Sequence, residues 1–547
     1  VTELVNTGLA EDMGCGHLRL HPALCPYLLG ELAETEREQA ASAWAGGMVA
    51  LAKYLHKEVF KDAQLAFTLT LLELPNLLAL LEYLHLTATA EAVVDLATSL
   101  ETLLQNLGRP AALARVVVIR EAAAAQLGAW SNARFQAEAS SIDRMLQSGQ
   151  LQQALDAAQD LLQGCLDAGE EAYDGADYDI AMAYFSLGRV LLTGGLSQAA
   201  LQPLAEAQAR FQVIADTGNR DAARMASVAI TERGDCLCNL GRLDEAASAY
   251  QDAIQRKEKL DDRRGVAVSK GQLGTVRMLQ QRYDDALEAY RSARDIFEQL
   301  GEPGSVAVIW HQTGMVHKEA GNFDAAEEAY RKALAIEVQQ KDQPGEALSL
   351  GELGNLYDRR ERLEEAVAFS RKAADIYVRI HDLAHEGVCR SNIADTLIKL
   401  QDFDEAREEL QRALECKKPF GHAAEPWKTW MILHNLEQAV GNPAAAANAR
   451  AEAIRAYLVY RRAGGENQNP GARFCALVAQ AIQKGDTTEA EEILASYLTP
   501  DAESWAKAII PALQAILRGS RDAALAEDSA LDYDDAVELR LLLEGLG

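Results

Sequence analysis

The chain has 547 residues and is poor in aromatic residues, which make up 6% of it. It is also poor in basic residues: 53 Lys and Arg stand against 82 Asp and Glu, so the net charge is −29. Binding to nucleic-acid phosphates requires clustered cations. The charge balance therefore argues against DNA or RNA as a direct partner and favours a basic or apolar protein surface.

Several chemistry-bearing patterns are missing as well. The eight cysteines are scattered without a pair of CxxC units, which indicates reduced, mostly buried thiols in a cytoplasmic protein. No uninterrupted apolar run reaches the ~18–20 residues of a membrane span, and no signal-peptide pattern opens the chain. GxxxxGK[ST], GxSxG and HExxH motifs are absent. The sequence predicts no metal site, no cofactor held by this chain, no membrane partner and no catalytic site; an enzyme with an unrecognised site remains a third alternative.

What the chain does have is a pattern that recurs every 40 residues. It first reads GDCLCNLGRLDEAASAYQDAI and then repeats in register, with units that start at Gly234, Gly274, Gly314, Gly354, Ala394 and His434. A small residue at the start of a unit lets two helices approach closely. Alanines recur twelve and nineteen residues later, as in Ala246 and Ala253. Acidic residues such as Asp244 and Asp324 precede these alanines, where the positive end of a second helix is expected.

These positions resemble the tetratricopeptide repeat, a helix–turn–helix unit that stacks into a right-handed superhelix. Its usual length is about 34 residues, so we expect the extra residues to lengthen the helices and loops such as LGEPGS and KDQPGE. The fold prediction is an all-α, right-handed α-solenoid with a 40-residue period over residues 141–462. We expect a helical linker with degenerate repeats over 36–140, a linker over 463–472 and a helical C-terminal cap over 473–547.

Residues 1–35 do not follow the repeat. They predict the end of a helix, a β-hairpin that pairs LAEDM with HLRLH across Gly14-Cys15-Gly16, and a new helix with Pro22 in its first turn. This order resembles the end of a winged-helix domain. Together with the repeats it resembles the C-terminal half of a STAND-type signalling ATPase, a relative of NLR immune receptors.

In that family a histidine after the hairpin contacts the β-phosphate of bound ADP. The resemblance implies this role for His21 within a longer protein, although Leu20 and Pro22 replace the Met and Asp of the family's MHD motif. The alternative is that His21 only caps the hairpin. Because the chain lacks a phosphate-binding loop, the resemblance also implies a sensor arm without the nucleotide-binding module of that family.

The first helix of each tetratricopeptide repeat lines the concave face in that family. Columns around the small residue supply amides, hydroxyls, Met and His rather than only Lys and Glu, which suits contact with a protein or peptide. An inert, solvated groove is the alternative. The candidate binding residues are Asp235, Cys238, Thr275, His311, Met315, Lys318, Asn355, Asp358, Ser391, Asp395 and Asn435.

One histidine pair is a candidate for metal binding. His381 and His385 are four residues apart, beside Glu386, but no further metal ligands are spaced nearby, and the segment coincides with an inter-repeat loop.

The sequence thus predicts a cytoplasmic, non-enzymatic, ligand-sensing arm of a bacterial STAND protein. It would recognise a protein or peptide trigger of phage or stress origin, as in innate immunity. On its own it would be an elongated monomer or weak dimer. The alternative is a free-standing adaptor that joins protein partners in the manner of kinesin light chains.

Overall fold

The computed structural model describes residues 2–14, 17–21, 24–59, 63–105, 107–128, 130–465, 467, 469–499 and 501–546. The chain divides into two compact units, Val1–Gln281 and Arg282–Gly547, called unit 1 and unit 2 below. Consecutive packed helices make up almost all of the described residues, and one short hairpin lies near the N-terminus. The predicted all-α class with a small hairpin is confirmed.

Unit 1 opens with a helix, a hairpin and a second helix. In chain order these are α1 (Thr2–Asn6), β1 (Ala10–Gly14), β2 (His17–Leu20) and α2 (Leu24–Glu31). The strands are antiparallel, with Ala10 opposite Leu20 and Asp12 opposite Leu18, so the predicted pairing is confirmed. Cys15 and Gly16 of the predicted turn lie outside the described residues, as does Pro22 at the predicted start of the next helix.

Four longer helices follow and share one apolar core. They are α3 (Glu34–Glu58), α4 (Ala63–Thr87), α5 (Ala90–Gln105) and α6 (Pro110–Ala124). By length and composition, Gln64–Thr87 of α4 would suffice to cross a membrane, which the search for uninterrupted apolar runs had missed. Leu77, Leu80 and Leu81 of α4 are fully buried in the core shared with α5, although only 28% of the apolar window of α4 is buried. A core helix passes the same test of length and composition, so this is weak evidence for a membrane span.

The remaining helices follow one another along the chain in each unit. Unit 1 ends with α7 (Asn132–Gln147), α8 (Leu151–Ala168), α9 (Ala176–Thr193), α10 (Ser197–Asp216), α11 (Arg220–Asn239), α12 (Leu243–Lys259) and α13 (Arg263–Leu279). Unit 2 begins with α14 (Tyr283–Leu300), α15 (Pro303–Glu319), α16 (Phe323–Gln340), α17 (Gln343–Arg359), α18 (Leu363–Arg379), α19 (Leu383–Lys399) and α20 (Phe403–Lys417). It ends with α21 (Pro426–Ala439), α22 (Pro443–Arg462), α23 (Pro470–Lys484), α24 (Thr488–Tyr497), α25 (Ser504–Leu517) and α26 (Tyr533–Leu546), and includes short 3₁₀ segments at Lys418–Ala424 and Ala523–Ala526.

The helix boundaries reproduce the 40-residue period. In unit 2, α15, α17 and α19 begin at residues 303, 343 and 383, and α16, α18 and α20 begin at 323, 363 and 403. The connections are short: α16 ends at Gln340 and α17 begins at Gln343. The extra residues of each repeat therefore lengthen the helices, and the expectation that loops such as KDQPGE carry them is wrong. Most of KDQPGE forms the first turn of α17.

Each connection from α14 to α20 contains a left-handed residue, and these recur at every twentieth position. The series is Gly301, Gly321, Lys341, Glu361, His381 and Gln401. After α16, the N–H of Asp342 donates to the carbonyl of Glu337 at 2.9 Å, which satisfies a carbonyl at the helix end. Asp342 then caps the next helix, because its side chain accepts from the N–H of Gly345 at 3.1 Å. Asp382 caps α19 in the same way.

The predicted columns of small residues lie between the helices of a pair. A Cβ added to Gly314 would lie 2.6 Å from the ring of Tyr330, so only glycine permits this approach of α15 to α16. Ala326, Ala366 and Ala406 are almost fully buried. The close helix pairing expected from the small residues is confirmed.

The last four helices, α23–α26, form a separate core at the C-terminal end of unit 2. Arg461 of α22 binds Glu538 of α26 at 2.6 Å, and Arg450 donates to the carbonyl of Leu531 at 2.8 Å. These bonds attach the C-terminal helices to the last helix of the repeat pattern.

Candidate functional site

In unit 2 the first helices of successive pairs are α15, α17, α19 and α21. Residues seven positions apart lie two turns apart on the same side of a helix. The side of these four helices that carries Met315, Asn355, Asp395 and Asn435 is called the A-helix face below. It contains most of the binding residues predicted for this half of the chain.

A pocket opens on the A-helix face and brings together four of the predicted residues: Lys318, Asn355, Asp358 and Asp395. They come from three helices, so their meeting depends on the packing of α15, α17 and α19. The other residues that line the pocket are Gly354, Arg359, Ser370, Asn392, Thr396 and Ile432.

One side of the pocket is organised around Glu352, which the sequence analysis did not select. The Lys318 ammonium donates to the Glu352 carboxylate at 2.6 Å, and the Tyr330 hydroxyl donates to it at 3.3 Å. Asn355 donates to the other carboxylate oxygen at 3.3 Å. Asn392, on the first helix of the next pair (α19), donates to the side-chain oxygen of Asn355 at 3.1 Å. This chain of bonds holds two side-chain amides in fixed positions on the face.

The other side is organised around Asp358. The hydroxyl of Thr396 donates to it at 3.1 Å, and the Lys399 ammonium donates to it at 2.6 Å. Lys399 also pairs with Asp395 at 3.2 Å. Burial alone would lower the pKa of Lys399, but its bonds to the two carboxylates outweigh that effect and raise the pKa. Lys399 therefore stays charged at neutral pH.

The pKa of Glu352 is likewise set by burial and a neighbouring charge that act in opposite directions. Burial raises the pKa of its carboxyl, but the neighbouring charge of Lys318 and its hydrogen bond outweigh burial, and the net pKa is lowered. Burial also lowers the pKa of His311, so this histidine is held neutral near physiological pH. The pocket at neutral pH thus contains ion-paired carboxylates and uncharged amides.

Two predicted binding residues do not lie on an open surface. His311 is 8% exposed, and its ring meets the edge of Tyr330 with centroids 5.4 Å apart. Ser391 is 5% exposed, and its hydroxyl lies 2.9 Å from that of Thr429. Both side chains fill the space between helices, so the structure corrects their placement in the groove.

The remaining predicted residues of unit 2 differ in exposure. Met315 is half-buried against the core that contains Tyr330 and Tyr357. Asn435 is exposed on α21. Neither lines the pocket described above.

Three predicted residues lie in unit 1. Asp235 accepts hydrogen bonds from the Tyr250 hydroxyl and from the Gln272 amide, the latter at 2.8 Å. Burial raises the pKa of Asp235 to about 6. Cys238 is half-buried, and burial raises its thiol pKa. The hydroxyl of Thr275 donates to the carbonyl of Gly271 at 3.4 Å.

A recognisable signal marks the residues that sequence reasoning missed. Glu352 and Asn392 both stand two positions before the small residue of their repeat, as Gln272 does in unit 1. This column is polar in each of these repeats. Each of the three residues forms a hydrogen bond with a residue on a neighbouring first helix.

The histidine pair at 381 and 385 is split by the helix start. His381 is the left-handed residue after α18, while His385 lies in the first turn of α19 and its ring contacts Asp382 at 2.7 Å. Among the described residues, no group of three or more His, Cys, Asp and Glu side chains is placed to hold a metal ion.

The hairpin positions His21 at the end of β2. Its backbone N–H donates to the carbonyl of Leu9 at 2.8 Å, and its own carbonyl accepts from the N–H of Leu24 at 2.9 Å. The side chain of His21 is exposed. The residue therefore connects the hairpin to α2 through its backbone and leaves its imidazole at the surface.

Comparison with known proteins agrees with this geometry. Residues 224–299, 265–337, 305–379 and 345–418 match the tetratricopeptide repeat family. Residues 224–418 are therefore a tetratricopeptide repeat array, as the sequence predicted. Such arrays present extended binding surfaces and are typically protein-binding scaffolds.

Several solved structures are similar to the chain at low sequence identity. A signal transduction ATPase with numerous domains (STAND) with a tetratricopeptide repeat sensor, from Pyrococcus horikoshii, is 14% identical, with 84% of this chain and 58% of that chain covered and a TM-score of 0.47. The quorum sensor NprR from B. thuringiensis is 12% identical, with 66% and 97% covered and a TM-score of 0.43. BtubC from P. vanneervenii is 19% identical, with 44% and 92% covered and a TM-score of 0.35. No curated protein matches the chain.

Proposed function

We propose that this chain is a ligand-recognition arm that binds a protein or peptide on the A-helix face of unit 2. The observation that carries the proposal is the pocket in which Lys318, Asn355, Asp358 and Asp395 meet. Glu352 holds the side chains of Lys318 and Asn355, and Lys399 holds those of Asp358 and Asp395, so little side-chain freedom is lost on binding.

The chemistry of the face favours binding over catalysis. Its cations are ion-paired and its amides are fixed, which suits recognition of peptide groups and uncharged side chains. We assign no catalytic role and no cofactor to this chain, and we place it in the cytoplasm without a membrane or nucleic-acid partner. As an isolated chain it is expected to be a monomer or weak dimer.

We further propose that the arm belongs to a STAND-type signalling ATPase. The supporting observation is the order of α1, the hairpin and α2 before the helical array, with the exposed imidazole of His21 between the hairpin and α2. In such a protein His21 would contact bound ADP, and ligand binding to the array would release the ATPase. A free-standing adaptor is the alternative. A phosphate-binding loop encoded directly upstream of Val1 would support the receptor, and a start codon there would support the adaptor.

The binding proposal is tested with a pair of variants. Asn355→Ala combined with Asn392→Ala removes both fixed amides, while Glu328→Gln on α16 changes an exposed residue that forms an ion pair with Lys332 on its own helix. Partners captured from the host by the parent chain are purified and titrated. Loss of interface hydrogen bonds costs about 1–3 kcal/mol, so the amide variant should bind roughly tenfold or more weakly. Equal affinity of parent and amide variant, or a loss only with Glu328→Gln, would contradict the proposal.

A further inference from the structure

The C-terminal helices bury three carboxyl groups close together. Asp534, Asp535 and Glu538 lie in the first two turns of α26, and all three are buried. Glu538 follows the other two by four and three residues, so the three side chains lie on the same side of the helix. Aspartate and glutamate are almost never fully buried unless they are paired. We call these three residues the α26 carboxyl cluster.

Two members of the α26 carboxyl cluster have partners. Glu538 accepts from Arg461 of α22 at 2.6 Å and from the amide of Asn467 at 3.1 Å. Asp534 accepts from the amide of Asn469, the residue before α23. These bonds join α26 to α22 and to the segment between α22 and α23. The burial of these two groups is thus matched by hydrogen bonds.

The third member, Asp535, has no such partner. It is 4% exposed, and no described residue donates a hydrogen bond to it or forms an ion pair with it. It lies against the first turn of α23, where a Cβ added to Gly471 would collide with one of its oxygens. The same Cβ would lie 3.0 Å from Ile509 of α25. The Asp535 carboxyl group therefore faces the backbone of α23 instead of a cation or a side-chain donor.

The surroundings of Asp535 favour its protonated form. Burial raises the pKa of Asp535 to about 7, and the neighbouring carboxylates of Asp534, Asp532 and Glu538 add to this effect. The other titratable side chains around the cluster are Cys475 on α23, and Tyr457 and Arg461 on α22. In this set Arg461 is the cation, and it is bound to Glu538. Asp535 is therefore left without a positive partner.

We propose that the contact between α23 and α26 is a pH-dependent seam, closed while the Asp535 carboxyl carries a proton and opened more often once the proton is lost. A neutral carboxyl remains against Gly471 at small cost, whereas a buried carboxylate without a partner is unfavourable. Opening of the seam lets water solvate the charge. The neutral form therefore stabilises the attachment of the C-terminal helices, and the ionised form weakens it.

The seam controls a surface at the end of the array, because α26 also covers α22. Val537 of α26 packs with Trp427 and Tyr457, and the Tyr533 ring meets that of Tyr457 edge-on, with centroids 5.3 Å apart. Release of α26 would uncover these aromatic side chains. Access to the last helix pair of the array is thus expected to increase as the pH rises above neutral.

The direction and size of the effect follow from proton linkage. The closed seam binds the proton more tightly than the open one, in which the carboxyl has an ordinary pKa of about 3.9. The equilibrium constant for opening should therefore rise about tenfold between pH 6 and pH 8, and the rise should level off above about pH 7. Residues 463–547 contain no histidine, the residue that ordinarily titrates in this range. Few groups other than Asp535 are therefore available to cause such a change in these helices.

Amide hydrogen exchange on the 547-residue chain at pH 6, 7 and 8 measures the opening of α23 and α26, after correction for the pH dependence of the intrinsic exchange rate. In the parent, opening should increase about tenfold from pH 6 to pH 8. Asp535→Asn keeps the shape of the side chain without the charge, so opening should stay constant over this range. The control is Glu492→Gln, which removes an exposed carboxylate on α24 and should retain the response of the parent. Circular dichroism checks that each variant is folded.

Each outcome decides for or against the seam. Unchanged protection of α23 and α26 in the parent from pH 6 to pH 8 would overturn the proposal. A pH response that persists in Asp535→Asn, or that is lost in Glu492→Gln, would assign it to other groups and would overturn it as well. If Asp535→Asn does not fold, the profile of the parent decides, because a rise that levels off near pH 7 supports the seam and its absence refutes it. None of these results depends on the proposed binding to the A-helix face.

Discussion

The contact of Gly314 with Tyr330 predicts that one added methyl group destabilises the array. A Cβ at residue 314 would lie 2.6 Å from the nearest ring carbon of Tyr330. The ring is fully buried, meets the imidazole of His311 edge-on and donates its hydroxyl hydrogen bond to Glu352. The ring has no space to move away without disturbing these contacts. Gly314→Ala therefore creates a clash between α15 and α16.

The magnitude follows from two opposing effects. Overpacking a buried contact costs about 1–3 kcal/mol, and replacing glycine by alanine inside a helix stabilises by roughly 0.5–1 kcal/mol. The net loss in the free energy of unfolding is expected to be about 0–2.5 kcal/mol. Gly304→Ala is the matched control on the same helix, because a Cβ there meets nothing within 4 Å. It should be neutral or stabilise by up to about 1 kcal/mol.

Amide hydrogen exchange in α15 and α16 measures the effect, because it reports local opening and does not require two-state unfolding of a repeat array. The double variant Gly314→Ala, Tyr330→Leu measures the coupling free energy between residues 314 and 330. If the ring causes the clash, Gly314→Ala should cost little in the Tyr330→Leu background. Equal effects of Gly304→Ala and Gly314→Ala, or an undiminished cost in that background, would refute the reasoning.

Three further predictions concern stability. Lys257 is buried and donates to the hydroxyls of Thr231 and Ser269, and burial lowers its pKa below 10.5. Lys257→Met should raise the melting temperature at pH 7. As the pH rises, Lys257 loses its proton in the folded chain before it does so in the unfolded chain, so the gain in melting temperature should shrink towards pH 10.5. A gain that stays constant in thermal melts at several pH values would exclude burial of the charged Lys257 as its cause. Asp342→Ala removes a helix cap and should cost about 0.5–2 kcal/mol in denaturant titrations, and an unchanged midpoint would contradict the capping role. Glu361→Gly relieves a left-handed backbone and should stabilise by about 1 kcal/mol, whereas no rise in melting temperature would argue against strain there.

The repeat pattern by itself determined the helix pairs and their internal packing. Gly314 with Ala326, and the same positions 40 residues on, predicted where helices approach, because close packing admits only small side chains there. The hairpin before His21 was also predictable, since strand alternation and a glycine-containing turn are local signals. The helix lengths were harder to predict. The extra residues extend the helices rather than the loops, and in α17 and α19 the caps at Asp342 and Asp382 favour an early helix start.

Only the tertiary structure decided which side chains meet between helices. Sequence columns selected Lys318, Asn355, Asp358 and Asp395, and packing brings these four into one pocket. The same columns selected His311 and Ser391, which are buried, because a position at the edge of a helix face is exposed or covered according to the residue on the neighbouring helix.

Sequence columns did not select Glu352, which organises one side of the pocket, for the same reason. They also did not select the exposed residues Val308, Leu348 and Val388. A 40-residue period fixes the angular position of a residue on its own helix. The contacts of its side chain depend on helices whose distance and rotation the period does not contain.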